Sequence, residues 1–228
     1  MSILLFHEAE VFYYSFKDNE LQSKIINKNS FEFIDNNDQQ HYLLIDSPRF
    51  TLIPNSIFTA SHSKQLFLLN FGELSYDERV YFTLNSAFDI ANIYSIKKEI
   101  DEFRSSLNQN LTIDHLSNGI LKFLKIHSLA NQLLLVITPN YIYLGIKNGQ
   151  KLIQLSAIDY ENEEDILYYV IAQINSLNII EIDSLSVTKL EGVHKISLEK
   201  FKALSKSIKL FSEITFSELD TKKFLSVI

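Results

Sequence analysis

Two segments 130 residues apart carry the same order of apolar runs and breaks. Near the start, Ile3 to Phe6 is apolar, "HEAE" interrupts it, Val11 to Phe16 is aromatic, "KDNE" follows, and Leu21 to Ile26 closes the set. Near the middle, Leu133 to Val136, "ITPN", Tyr141 to Ile146, "KNGQ" and Lys151 to Leu155 repeat that order with no gap. Short apolar and aromatic runs between such breaks read as strands, and Asp-Asn and Asn-Gly tolerate the positive φ of tight hairpins. Each segment therefore predicts a three-stranded antiparallel meander. The chain is expected to divide into two lobes, 1–128 and 129–228, each opening with one meander. Turn chemistry makes any two hairpins look alike, so chance similarity is the competing reading.

Between the meanders, "HYLLID" and "RFTLIP" read as strands around Pro48, the second ended by Pro54, because proline donates nothing to a ladder. "SHSKQLFLLNFG" reads as a short helix after Ser61 that stops at Gly72, with a strand at Leu66 to Asn70 as the alternative. Strands follow near Arg79 to Leu84 and Ile90 to Ile96. "KKEIDEFRSSL" predicts a helix with Ile100, Phe103 and Leu107 on one face, "LTID" a strand, and "HLSNGILKFLKIH" a helix. In the second half, Asn162 is the expected N-cap of a helix whose stripe is Ile166, Tyr169, Val170, Ile174 and Leu177. "DSLSVTKLEG" reads as a strand closed by Gly192. Ser197 is expected to cap a helix facing a core through Leu198, Phe201, Leu204 and Ile208, and "FSEITF" to return as a strand. Meander, helix, strand, helix, strand is an α/β order with helices covering mixed sheets.

Composition narrows the chemistry. With 228 residues, 46% of them hydrophobic, either half is long enough to bury a core. The absence of cysteine excludes disulfides, thiolate metal sites and a cysteine nucleophile, and fits a cytoplasmic setting. "MSILLFHEAEVFYYSF" lacks the basic start and small-residue cleavage site of a signal peptide. No apolar run approaches the roughly 20 residues a membrane span requires. The formal charge of −7 repels a phosphate backbone, and "IKKEIDEFR" and "TKKF" are too short and mixed to form a basic patch, so no nucleic-acid partner is expected. Seventeen Phe and eleven Tyr, with no Trp, suit pleated and half-buried strand surfaces.

The segments "FTLIPNSIF", "AFDIANIYSI" and above all "YENEEDILYYVIAQINSLNI" resemble an uncharacterised Bacteroidetes family of small proteins, along essentially the whole chain. Asn27 to His41 is shorter than is usual in that family. The resemblance implies an actin-like ATPase fold of two ribonuclease-H-like lobes, each opening with the meander, and biochemical function unknown. In active members of that wider fold, the hairpin after each lobe's first strand carries an aspartate closely followed by glycine. Glycine lets backbone amides approach phosphate, and the aspartate holds the metal through water. Here the first hairpin, "FHEAEV", offers Glu8 and no glycine. The second, "TPN", contains Pro139, which removes a donor, and Asn140. The Gly-rich adenine loop expected in the second lobe is reduced to Gly192 in "LEGVHK". Against the resemblance, then, no ATP hydrolysis is expected.

Other chemistries fail on their residues. A two-metal nuclease of ribonuclease H type needs a central acid on the first strand, and "ILLF" has none. Glu161, Glu163, Glu164 and Asp165 read as acids favoured by a helix N-terminus rather than as a metal site. His7, His41, His62, His115, His127 and His194 include no pair spaced by three or four, so no zinc motif arises, and each is expected at the surface or a boundary. No serine-hydrolase elbow is present. Phe12, Tyr13 and Tyr14 lack the basic neighbours of a base-stacking surface, so sheet packing is expected for them. No catalytic, cofactor-binding or metal residue is assigned, and no cofactor. The expected role is a non-catalytic scaffold that binds an unknown protein partner. The alternative is a degenerate nucleotide or metabolite site that uses the interlobe cleft as a switch.

Overall fold

The computed structural model describes residues 2–7, 10–17, 20–26, 41–106, 111–127, 131–177, 179, 182–190, 192–208 and 214–227. Its chain parts into two compact units, Met1–Asn118 and Gly119–Ile228.

The first unit opens with β1 (Ser2–His7), β2 (Glu10–Lys17) and β3 (Glu20–Ile26), an antiparallel meander. Next, β4 (His41–Asp46) runs parallel to β1, and β8 (Leu111–His115) runs parallel to β4. The sheet order is β3-β2-β1-β4-β8. Strand β1 is buried on both faces through Ile3, Leu4, Leu5 and Phe6, which is why it reads as a continuous apolar run. Between β4 and β8 lies a second, three-stranded antiparallel sheet of order β5-β7-β6, made of β5 (Phe50–Pro54), β6 (Glu78–Asn85) and β7 (Ile90–Lys97). Helix α1 (Ser63–Phe71) packs on that sheet, and α2 (Lys98–Ser106) follows β7. Gly72, at φ 69°, ends α1 and returns its amide to the Leu68 carbonyl, as expected of a glycine stop. Ile100 of α2 is buried; Leu107 and the Phe103 side chain lie outside the described residues.

The second unit repeats the design. Strands β9 (Asn131–Ile137), β10 (Tyr141–Asn148) and β11 (Lys151–Asp159) form an antiparallel meander. Strand β12 (Ser184–Lys189) is parallel to β9, and β13 (Thr215–Glu218) is parallel to β12. The order β11-β10-β9-β12-β13 is that of the first sheet, so the 130-residue echo is a repeat of topology. The gapless alignment slips by two residues in each hairpin. His7 pairs with Glu10 around two residues, whereas Ile137 pairs with Ile142 around four. The slip is even, so every side chain keeps its face. At the next turn Gly149 takes φ 58°, and the turn centres on Gly149 and Gln150, between Asn148 and Lys151. A bulge on β11 then leaves Ile153 unpaired.

Helix α4 (Glu163–Ser176) is capped by Asn162, whose side chain accepts the Asp165 amide at 2.9 Å, and α5 (Leu198–Ser207) by Ser197, which accepts the Lys200 amide at 3.2 Å. Ile166, Val170 and Ile174 bury against Leu133, Leu135, Leu144 and Val187, with Tyr169 packed at the margin. The expected stripe is corrected at its end: Leu177 lies just past the helix and is 36% exposed, while Leu167 is buried in its stead. The predicted "FSEITF" strand begins later, at Thr215, with 211–213 outside the described residues. A short helix α6 (Thr221–Leu225), which the pattern did not predict, buries Phe224 and Leu225.

Helix α3 (Leu116–Ile126) contains the boundary between the units. Its C-terminal half lies close on β10 because Gly145 has no side chain: a Cβ there would stand 2.8 Å from a Leu124 methyl. Lys147, on the same face, turns its ammonium to the Leu124 carbonyl at 2.8 Å and to that of His127, capping the helix where a cation is favoured.

Candidate functional site

In open sheets with parallel strands, ligands bind beyond the carboxyl ends of those strands, where the chain order reverses. Each five-stranded sheet has such a point, between β1 and β4 and between β9 and β12. The two are chemically different.

In the first unit the paired ends are His7 and Asp46. Asp46 is buried, and the loop after it, Ser47 to Arg49, is held from β8. The His115 ring, fully buried between Phe50 and Tyr94, meets the Ser47 carbonyl through Nε2 at 2.9 Å. A carbonyl only accepts, so Nε2 carries the proton and Nδ1 accepts the Ser117 hydroxyl at 2.6 Å. The Ser117 oxygen in turn accepts from Asn92 Nδ2 at 2.6 Å. Burial pushes the His115 pKa down to about 3, against a small opposing pull from the Ser47 carbonyl, so the ring is neutral. Next to it, Asp114 accepts from Thr83 at 3.2 Å, from the His115 amide at 2.8 Å and from Asn118. This serine–histidine pair is a positioning device, because Ser117 is sealed from solvent.

In the second unit the paired ends are Ile137 and Lys189. The Lys189 ammonium donates to the Ile196 carbonyl at 3.1 Å. The turn beyond Ile137 is closed on itself. Thr138 donates its amide to the Tyr141 carbonyl at 2.9 Å, the Tyr141 amide returns to Thr138 Oγ1 at 3.2 Å, and Pro139 has no amide. The buried Tyr160 hydroxyl fastens the turn from outside through the Thr138 carbonyl, at 2.6 Å. The Leu190 amide bonds the Ile137 carbonyl at 2.9 Å.

The residues weighed from sequence fall as follows. Glu8 lies outside the described residues, and the His7 side chain with it. Gly192 stands at φ 82° beyond β12, as a lone turn glycine would. Phe12 and Tyr14 are buried in β2. The acidic helix start is engaged in structure. Glu163, 4% exposed, accepts the Ser197 amide at 2.9 Å and the Lys200 ammonium at 3.0 Å, and Asp165 accepts the Glu161 amide at 3.0 Å. Burial works against the Glu163 carboxylate, yet the Ser197 amide and Lys200 hold its pKa below the usual range. Two histidines correct the surface expectation: His41 and His115 are buried, the former with Nδ1 2.5 Å from the Ser2 hydroxyl. Both His115 nitrogens find partners, at Ser47 and Ser117, and His41 meets Ser2 through Nδ1 while its Nε2 is buried without a partner among the described residues, an arrangement that spacing along the chain does not reveal. Among the described residues no group of three or more His, Asp or Glu is placed to hold a metal ion. Among those residues, too, no helix is long and apolar enough to cross a membrane.

One cavity was not visible from sequence. It measures about 510 Å³ and lies at the opposite end of the second sheet, lined by Leu133, Ile146, Ile153, Leu177 and Ile182, with Asn131 and Asn148 at hand. Strand alternation sends the neighbouring side chains, Gln132 and Lys147, to the other face, where they meet Ser186 and the end of α3.

The family model described as a protein of unknown function (DUF3822) matches residues 32–188. The chain belongs to that family. Among solved structures, this DUF3822 chain is similar to a Bacteroides thetaiotaomicron protein with an actin-like ATPase fold and unknown function. The TM-score is 0.79 at 14% identity, covering 99% of this chain and 93% of the other. It is also similar to a chain of the PilM-PilN type IV pilus biogenesis complex, at TM-score 0.56 and 8% identity, covering 100% and 89%. Among curated proteins none matches in sequence. At these identities the likeness establishes the fold: the DUF3822 chain has the actin-like ATPase fold expected of it.

Proposed function

We propose that this DUF3822 protein is a non-catalytic member of its fold that works in the cytoplasm as a protein-binding scaffold. The β9–β10 turn carries the reading. A phosphate cradle needs free, convergent amides, and here Thr138 and Tyr141 use theirs on each other while Pro139 has none. The Tyr160 hydroxyl further resists opening of the turn. That a protein of this fold occurs in the PilM-PilN complex supports protein binding by analogy of fold alone. The test is phosphate release from ATP with magnesium, measured beside a Glu8→Ala variant, together with affinity purification of the tagged protein. The expected result is no release above the variant and one protein that co-purifies reproducibly. Tight ATP binding with phosphate release that Glu8→Ala abolishes overturns it.

A second reading, binding of a small metabolite, is favoured by the cavity beside Ile153 and Leu177, whose volume suits a compact ligand. A panel of nucleotides and neutral metabolites in a thermal-shift assay separates the two, since a ligand of the folded state raises its midpoint. A rise with one compound, lost in Ile146→Trp, supports the metabolite; a flat panel with a captured protein supports the scaffold.

A further inference from the structure

Among the described residues the three sheets end in six edge strands, and five of them carry the devices that keep edges from pairing with other chains. Strand β3 has Glu20 and Lys24, β8 is five residues long with Asp114 and His115, and β5 is as short and ends in Pro54. Strand β11 has a bulge and terminal charges, and β13 has only four residues. Strand β6 is the exception. It pairs with β7 over eight residues with no break in register, and after Glu78 and Arg79 its remaining residues, Val80 to Asn85, include no charge and no proline.

This edge is also apolar. Of the ten large hydrophobic side chains exposed among the described residues, five lie between Ile57 and Leu84, within the inserted three-stranded module. Phe82 is 40% and Leu84 59% exposed on β6 itself, and Phe58 stands against Phe82 with ring centroids 5.1 Å apart. Helix α1, "SKQLFLLNF", carries Leu66, Phe67, Leu68, Leu69 and Phe71 yet buries only Phe67, and Leu69 is 82% exposed.

We propose that β6 is a self-association edge, on which a second copy of this chain adds its own β6 in antiparallel order. The occupant follows from the edge's symmetry. Pairing about Phe82 sets Phe82 on its counterpart, Val80 opposite Leu84, Tyr81 opposite Thr83 and Arg79 opposite Asn85, so that no two like charges face each other. A two-fold interface requires a surface complementary to itself in this way. With a formal charge of −7 on each copy, an uncharged strand is also where two copies approach at least electrostatic cost.

Sedimentation of the full chain between about 1 and 100 µM tests the proposal. The expected result is a mass that rises from one chain to two, while Phe82→Lys stays at one chain with unchanged circular dichroism. Amide exchange at Val80, Phe82 and Leu84 is expected to slow at least several-fold as concentration rises. That measurement needs no variant and decides the matter should Phe82→Lys fail to fold. A wild type that remains monomeric overturns the proposal. So does a dimer that survives Phe82→Lys, or one whose β6 amides exchange as freely as in the monomer.

Discussion

The two five-stranded sheets share an order and a set of strand directions, yet their parallel strands end in opposite chemistry. Asp46 closes β4 at the first switch point, beside a loop pinned by a buried neutral histidine. Lys189 closes β12 at the second, its charge already given to a carbonyl, beside a turn locked by Tyr160. The connections differ as much. Helices α4 and α5 cover one face of the second sheet, and the first carries a whole three-stranded sheet between β4 and β8. Strand order is thus the part of this fold that tolerates divergence, because it depends on backbone pairing and on the burial of alternate residues. Strand ends and insertions are free to specialise.

The contrast between a closed helical layer and an open insertion is the easiest to break. Phe201→Ala, at the fully buried centre of the α5 contact, is expected to lose about 3–5 kcal/mol. Leu69→Ala, at an α1 side chain 82% exposed, is expected to stay within about 0.5 kcal/mol. Denaturant titration of both variants checks the pair, and equal losses would erase the distinction.

Acid separates the units next. The His115 pKa is lowered on folding, so between about pH 6.5 and 3 the unfolded chain binds a proton that the folded chain does not. Stability contributed at this site is therefore full above that window and falls with pH inside it, by about 1.4 kcal/mol per unit. Glu163 in the second unit also has a lowered pKa, and its contribution is lost only below the ordinary carboxylate range. Amide exchange at pH 5 should accordingly rise in β8 before β12. The reverse order would show that His115 is not the first unit's acid-labile point.

The smallest effect concerns the turn. Tyr160→Phe removes one hydrogen bond to the Thr138 carbonyl and is expected to cost about 0.5–1.5 kcal/mol, with faster exchange at Thr138 and Tyr141. Unchanged exchange there would mean that Pro139 and Thr138 suffice to hold the turn shut.

Much of this was legible along the chain. The meanders showed because apolar runs, turn residues and strand lengths agree locally, and the caps at Asn162 and Ser197 because a polar side chain bonds an amide three residues on. What stayed hidden depends on partners far apart in sequence. Glu163 looked like one acid among four at a helix start, and only its contact with Ser197 and Lys200 sets it apart. His115 looked like a boundary residue, and only the structure brings its Nε2–H to the carbonyl of Ser47, 68 positions away. Helix α6 is too short for periodicity to register, and the cavity is a space between elements that no pattern encodes.

The sequence by itself determined the repeated meander, the α/β order and the absence of an aspartate–glycine pair from "HEAE" and "TPNY", since each is written in neighbouring residues. Tertiary structure alone decided that Thr138 and Tyr141 answer each other's backbone groups, that one of the six described edge strands is unguarded, and that a histidine can sit neutral in the core. Those outcomes rest on burial and on hydrogen-bond partners brought together from distant positions, which chain order does not specify.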